Sequence, residues 1–192
     1  MRTITTTLTA FSLLTTVAVP AFASIEDSAR ALVEQRISGL LSDTIVIDAL
    51  HEQNTGHASL SQTDIDSLDQ TWRKETGAGG GDMTRAVLDK PLSNYLRKVV
   101  QDGQGLFTEV FVMDNHGLNV GQSGLTSDYW QGDEAKWQET YLKGDGAIHV
   151  SEVEFDESSQ TYQVQVSVAI TDPGSQDVIG AATFGVNAEA IE

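Results

Sequence analysis

Cysteine is absent from the 192-residue chain, which removes disulfide frameworks, thiolate nucleophiles and Cys-based zinc or iron–sulfur sites at once. Basic residues are scarce, with 11 lysines and arginines against 28 aspartates and glutamates. The resulting net charge of −17 repels phosphate backbones and anionic headgroups, so neither a nucleic-acid partner nor electrostatic membrane docking is expected. Beyond the first two dozen residues, no apolar run approaches the roughly 20 residues that a membrane helix needs. What is present suffices for a core: apolar residues make up 40% of the chain, too many for a disordered one. The length suggests one ordinary domain with accessory helices.

The signs of catalysis are also missing. Gly121-Gln122-Ser123-Gly124 is one residue short of a nucleophile elbow, and the glycines of 77–81 precede no Lys-Ser/Thr pair that would make a phosphate cradle. His51, His57, His116 and His149 show no metal-ligand spacing, and Asp64, Asp66 and Asp69 lack the glycine and terminal glutamate of a calcium loop. No motif calls for a cofactor or a metal. Carboxylates abound, but nothing singles out a pair for glycosidic hydrolysis. The chain reads as a non-enzyme.

Residues 1–23 carry the pattern of a signal peptide. Arg2 gives a positive start, Leu8 to Val19 form a short apolar segment, and Pro20 precedes Ala21-Phe22-Ala23, a small-x-small cleavage pattern. The expectation is a periplasmic protein that begins near Ser24 and has no membrane insertion once the signal is removed.

Period-3.6 patterning predicts one long helix from Ser24 to about Gln53, capped by Ser24 and ended by Asn54-Thr55-Gly56-His57. Its stripe through Val33, Ile37 and Leu40 suits either packing on its own domain or a coiled-coil seam with a second copy. A second helix is expected from Ser61 or Thr63 through Trp72, then a flexible glycine joint at 77–81. A third should run from Asp82 to Val100 with a break or fresh start at Pro91. From Phe107 the period changes to 2. Phe107, Glu109, Phe111 and Met113 alternate with Thr108, Val110 and Val112; further strands are predicted near Leu118–Gly121, Ala147–Phe155, Thr161–Thr171 and Val178–Val186. Tyr162, Val164, Val166, Val168 and Ile170 face one way, Gln163, Gln165 and Ser167 the other, so one face of the sheet is wet or partner-facing. Helices followed by about five hairpin-linked strands give an α+β fold with an antiparallel sheet.

Two stretches carry a family resemblance. Val110-Phe111-Val112-Met113-Asp114-Asn115-His116-Gly117-Leu118-Asn119-Val120-Gly121 is followed by Thr126-Ser127-Asp128-Tyr129-Trp130-Gln131-Gly132-Asp133-Glu134-Ala135-Lys136-Trp137, and the tail runs from Val168-Ala169-Ile170-Thr171-Asp172 through Val178-Ile179-Gly180 to Asn187. Over 106–192 this resembles the Cache, or PDC, sensor domains, extracytoplasmic relatives of PAS, with 24–105 as an N-terminal helical region. The resemblance implies long N-terminal helices packed on a five-stranded PAS-like sheet, a small-molecule ligand, and signal transduction. Relatives usually carry flanking membrane helices; the resemblance therefore implies a free-standing form that signals through a separate membrane receptor or kinase. Asn187 stands where many relatives have Asp, and it supplies hydrogen bonds but no charge.

The candidate ligand-binding residues are Asp128, Tyr129, Trp130, Asp133, Trp137, Tyr141 and Asn187. Aromatic walls with a few convergent polar groups are what a small-molecule site requires, and Trp130, Asp133 and Trp137 would share one face of a helix. The competing role for the two tryptophans is to plug the open face of the sheet. The expected function is a ligand-binding sensor module; the alternative is an interaction protein that docks on a membrane receptor or dimerises through its N-terminal helix.

Overall fold

The computed structural model describes residues 24–156 and 160–191; the expected signal peptide, 1–23, lies outside them. Helix α1 (Ile25–Leu32) begins where the Ser24 hydroxyl accepts the Asp27 N–H at 3.1 Å. A π-helical turn over Val33–Ile37 follows, with the Ser38 hydroxyl donating to the Val33 carbonyl at 2.9 Å. After α2 (Ser38–Leu41) the helix stops, and Asp43 opens α3 (Thr44–His57) by accepting the Ile45 N–H at 3.1 Å. The single helix expected over 24–53 is thus two runs meeting at Ser42–Asp43, because an N-cap carboxylate there captures backbone N–H groups. The second run continues through the expected stop to His57. Val33 and Ile37 are buried against the sheet and Leu40 packs beside them, so that stripe is consumed in the chain's own core rather than offered as a seam for a second copy.

Helix α4 (Gln62–Gly77) is capped by Ser61, which accepts the Asp64 N–H. Helices α5 (Asp82–Leu88) and α6 (Pro91–Asp102) follow, with Pro91 in the first turn of α6, where its missing N–H is harmless. The glycine run between α4 and α5 is pinned rather than free. The Glu75 carboxylate accepts the N–H groups of Met83 and Thr84 at 3.2 and 2.9 Å, and these bonds hold it below the usual glutamate range. Among the described residues no helix is long and apolar enough to cross a membrane.

Six antiparallel strands form one sheet: β1 (Phe107–Met113), β2 (Asn119–Gln122), β3 (Ile148–Val150), β4 (Glu154–Asp156), β5 (Thr161–Thr171) and β6 (Val178–Asn187), in the order β2-β1-β6-β5-β3 with β4 also on β5. The strand expected over 147–155 is two short pieces, which turns five strands into six. A register shift between Phe107 and Glu109 corrects the alternation expected in β1. The bulge puts Phe107 on the same face as Val110 and Val112, facing the helices, and sends Glu109, Phe111 and Met113 to the other face. The helix-side core joins Ile37, Val46 and Leu50 to Val164, Val166, Phe184 and Val186, all fully buried or nearly so.

Helix α3 is fixed to the sheet at two turns. At one, Asp114 is fully buried; its Oδ1 accepts the N–H groups of His116 and Leu118, and its Oδ2 meets Gln53 Nε2 at 3.0 Å and His57 Nδ1 at 2.7 Å. At the other, His51 Nε2 lies 2.5 Å from Asp172. Asn54 bridges them, donating to the Ile179 carbonyl at 2.7 Å and accepting the Asn115 N–H at 3.1 Å. The β1–β2 turn needs Gly117: its φ is +83°, and an added Cβ would lie 2.6 Å from the backbone of Gly132. Gly117→Ala is expected to lower unfolding free energy by about 2 kcal/mol in urea titrations.

Candidate functional site

The chain between β2 and β3 crosses the sheet face turned away from the helices. Its first part is fastened to α4. Trp72 stacks on Tyr129 with ring centroids 5.2 Å apart and donates from Nε1 to the Thr126 carbonyl at 2.9 Å. Asp69 Oδ1 accepts the N–H groups of Tyr129 and Trp130 at 2.9 and 3.1 Å. Arg73 joins Asp69 to Asp128, each at 2.6 Å, and the hydrogen bond to Asp69 with both carboxylates nearby holds its guanidinium firmly charged. Burial pushes the Tyr129 phenol up, so it stays neutral.

The second part holds α7 (Ala135–Gln138). Trp137 packs on Phe111, Met113 and Ala181, stacks on Tyr141 at 4.9 Å, and donates from Nε1 to the Asp114 carbonyl at 3.1 Å. This lid does not fill the whole face. Two adjoining hollows of about 300 and 270 Å³ remain, sharing Glu134, Lys136 and Gln165 in their walls. The first stands at the lower limit of the range for small-ligand sites and the second just below it. One extends toward His149, Ser151, Glu154 and Gln163, the other toward Glu109, Phe111 and Asp128.

The polar groups here are unevenly matched. Lys136 Nζ pairs with Glu134 at 2.8 Å, donates to Gln131 Oε1 at 3.3 Å, and sits 5.6 Å above the Phe111 ring. Among the described residues, Glu109 has no such cation in contact. Gln165 Nε2 donates to it at 3.3 Å, yet burial pushes its carboxyl above the usual range, with the Gln165 bond and the more distant Lys136 acting against that. Four carboxylates, those of Glu109, Glu134, Glu154 and Asp128, line the two hollows; Glu134 pairs with Lys136 and Asp128 with Arg73, while among the described residues Glu109 and Glu154 form no ion pair. Such a hollow favours a ligand that brings positive charge.

Of the residues singled out in the sequence, only Asp128 lines these hollows. Tyr129 and Trp130 face α4 and the β1–β2 turn; Trp130 donates from Nε1 to the His116 carbonyl at 2.9 Å. Trp130, Asp133 and Trp137 do not share a helical face, since Trp130 pairs with Leu118 as an isolated bridge and the helix spans only Ala135–Gln138. Asp133 is exposed. Trp137 and Tyr141 cover the end of the face near Met113. Asn187 lies opposite Gln163 and accepts the Glu189 N–H at 3.0 Å, closing the C-terminal turn. Gln163 and Gln165, read as a wet face, do line the hollows, and so do Glu109, Glu134 and Glu154, which no sequence motif marks.

No family model matches the chain, and no curated protein matches it. Solved structures do. The sensor domain of the V. cholerae histidine kinase DctB is similar at 16% identity and a TM-score of 0.46, over 87% of this chain and 53% of that one. The ligand-binding domain of the Campylobacter jejuni chemoreceptor Tlp3, in complex with L-valine, is similar at 18% identity and a TM-score of 0.40, over 85% and 64% respectively. The extracellular domain of a histidine kinase designated rpHK1S-Z16 is similar at 15% identity and a TM-score of 0.43, over 73% and 60%. The chain spans about half to two thirds of the length of these structures. The first of these is a sensor domain, the second a ligand-binding domain and the third an extracellular domain.

Proposed function

We propose that the chain is a periplasmic ligand-binding sensor module rather than an enzyme, exported by the signal pattern of 1–23, with a helical region over 24–105 and the sensor domain over 106–192. A small solute bearing a cationic amine enters between the outer sheet face and the lid, and a separate membrane receptor or kinase receives the signal. The observation that carries this reading is the partly buried Glu109 carboxylate, without a contacting cation among the described residues, in a hollow roofed by an α4-anchored lid. An ammonium there supplies the missing counter-charge. Because Asp69, Trp72 and Arg73 hold the lid, a ligand that binds the closed lid more tightly biases the position of α4 by that difference in affinity and no more.

The test is a thermal-shift screen of the purified protein against amines, amino acids, carboxylates and purines. A saturating amine should raise the melting temperature, since ligand at about 100 times its Kd stabilises by about 2.7 kcal/mol. Glu109→Gln should abolish that shift. A screen without hits, or an amine hit indifferent to both Glu109→Gln and Glu134→Gln, would sink the proposal.

A pH dependence follows from the same carboxyl. Burial raises Glu109 in the folded state, so between the ordinary glutamate value and the raised one the native protein holds the extra proton. Its contribution to stability therefore falls as pH rises through that window. Amine affinity should move the other way, strengthening as Glu109 ionises. Glu109→Gln should flatten both profiles and leave the ligand-free protein at least as stable at neutral pH, as read by urea unfolding at several pH values.

A docking role without a ligand has one feature in its favour. Val153, Phe155 and Tyr162 are exposed on the β4–β5 ladder, with the two rings edge-to-face at 5.3 Å. Association that is lost in Tyr162→Ser, in a protein for which the screen finds no ligand, would favour that role.

A further inference from the structure

A larger cleft, about 620 Å³, opens on the opposite side of the molecule, between α3 and the start of α6. It shares no residue with the hollows beneath the lid. Its wall is apolar where Ala49, Leu92 and Val120 meet, and one end is closed by Lys90, Gln53 and His57.

The charges at that end are incompletely matched. Lys90 is largely withdrawn from water, and burial depresses its ammonium against the pull of Glu52 and Asp114. Gln53 Oε1 accepts one of its three protons at 2.9 Å; among the described residues no carboxylate forms an ion pair with it. Asp114 is close in charge but has no room as an acceptor. Its two oxygens already take Gln53, His57 and two backbone N–H groups, which fills the roughly four lone-pair positions of a carboxylate. Beside Lys90, α6 begins with no side-chain cap, and Pro91 has no N–H. The N–H groups of Leu92 and Ser93 are therefore left in the first turn, where the helix dipole favours a negative charge.

We infer that this cleft is a second binding site, for a small monocarboxylate with an apolar body. The carboxylate meets the Lys90 ammonium and the first turn of α6, and the body lies along Ala49, Leu92 and Val120. A single negative charge fits better than a phosphate dianion, because exposed Asp48 and Glu52 stand on the rim and repel the more highly charged group. The site is independent of the lid hollows, which favour a cation.

Calorimetric titration of the purified protein with benzoate, and with benzamide as the neutral twin, tests the assignment. Benzoate should bind saturably and at least about tenfold more tightly than benzamide. Lys90→Gln should weaken benzoate by about tenfold or more, a loss in the range measured for removing one partner of a partly desolvated charge pair. Should that variant fold poorly, Ala49→Trp fills the cleft while keeping both partners of the Lys90–Gln53 bond and should also block benzoate. Affinity should decline as alkaline pH removes the Lys90 proton. Equal binding of the two probes, or no saturable benzoate binding, would overturn the inference. So would binding that survives both variants, or binding lost in Lys136→Gln instead, which would place benzoate beneath the lid.

Discussion

Asp114→Ala is expected to lower the unfolding free energy by about 3–5 kcal/mol, the range for leaving buried charged or polar partners uncompensated. The side chain is fully buried and receives four hydrogen bonds. Alanine would strand the N–H groups of His116 and Leu118 within the β1–β2 turn, and leave Gln53 and His57 without their acceptor. Asp114→Asn keeps the shape but presents an amide NH2 to groups that donate, and should forfeit about 2 kcal/mol. Urea unfolding monitored by far-UV circular dichroism measures both. A loss below about 1 kcal/mol for the alanine variant would show that the Asp114 linkage does not hold α3 to the sheet.

Trp72→Ala is expected to destabilise by about 3–5 kcal/mol, as for other large aromatic truncations. Its indole is wholly buried, stacks on Tyr129 and donates to the Thr126 carbonyl. The effect should be local as well as global. Amide exchange over 126–131 should accelerate more than exchange in β5 and β6, because the lid loses its main apolar contact with α4 while the central strands keep theirs. Trp72→Phe retains most of the stacking and loses the hydrogen bond, so a drop of about 1–2 kcal/mol is expected. Uniformly faster exchange throughout the sheet would mean that the lid and core open as one unit.

The sequence discloses those parts of the fold whose causes are local. Ser24 and Ser61 start helices as their cap chemistry requires. Pro91 opens a new helix, and the strict alternation of β5 matches its observed span of Thr161–Thr171. The break at Ser42–Asp43 was hidden because apolar residues continue on both sides of it, so the stripe outweighed a cap signal only two residues long. The bulge at Thr108 has no side-chain signature at all; it follows from pairing with β6. That bulge decides the candidate site, since it turns Glu109 toward Gln165, a residue 56 positions away. A period-2 reading of β1 alone keeps Phe107 and Glu109 on the same side and so mixes the core with the wet face. The aromatic cluster of 128–141 is ambiguous for a different reason. Large rings near short polar side chains suit both a ligand wall and a packed lid, and only tertiary contacts distinguish the two.

The outer margin of the sheet bears on how the protein behaves in concentrated solution. Strands β3 and β4 are three residues each, interrupted between Val150 and Glu154. An incoming extended segment from another molecule would find at most a few consecutive free backbone groups there before the ladder stops. Short, broken edges of this kind discourage strand addition and the fibrils that grow from it. At the far margin, β2 is buried beneath α5 and α6. Both rims are therefore shielded from intermolecular β-pairing, one by brevity and the other by cover.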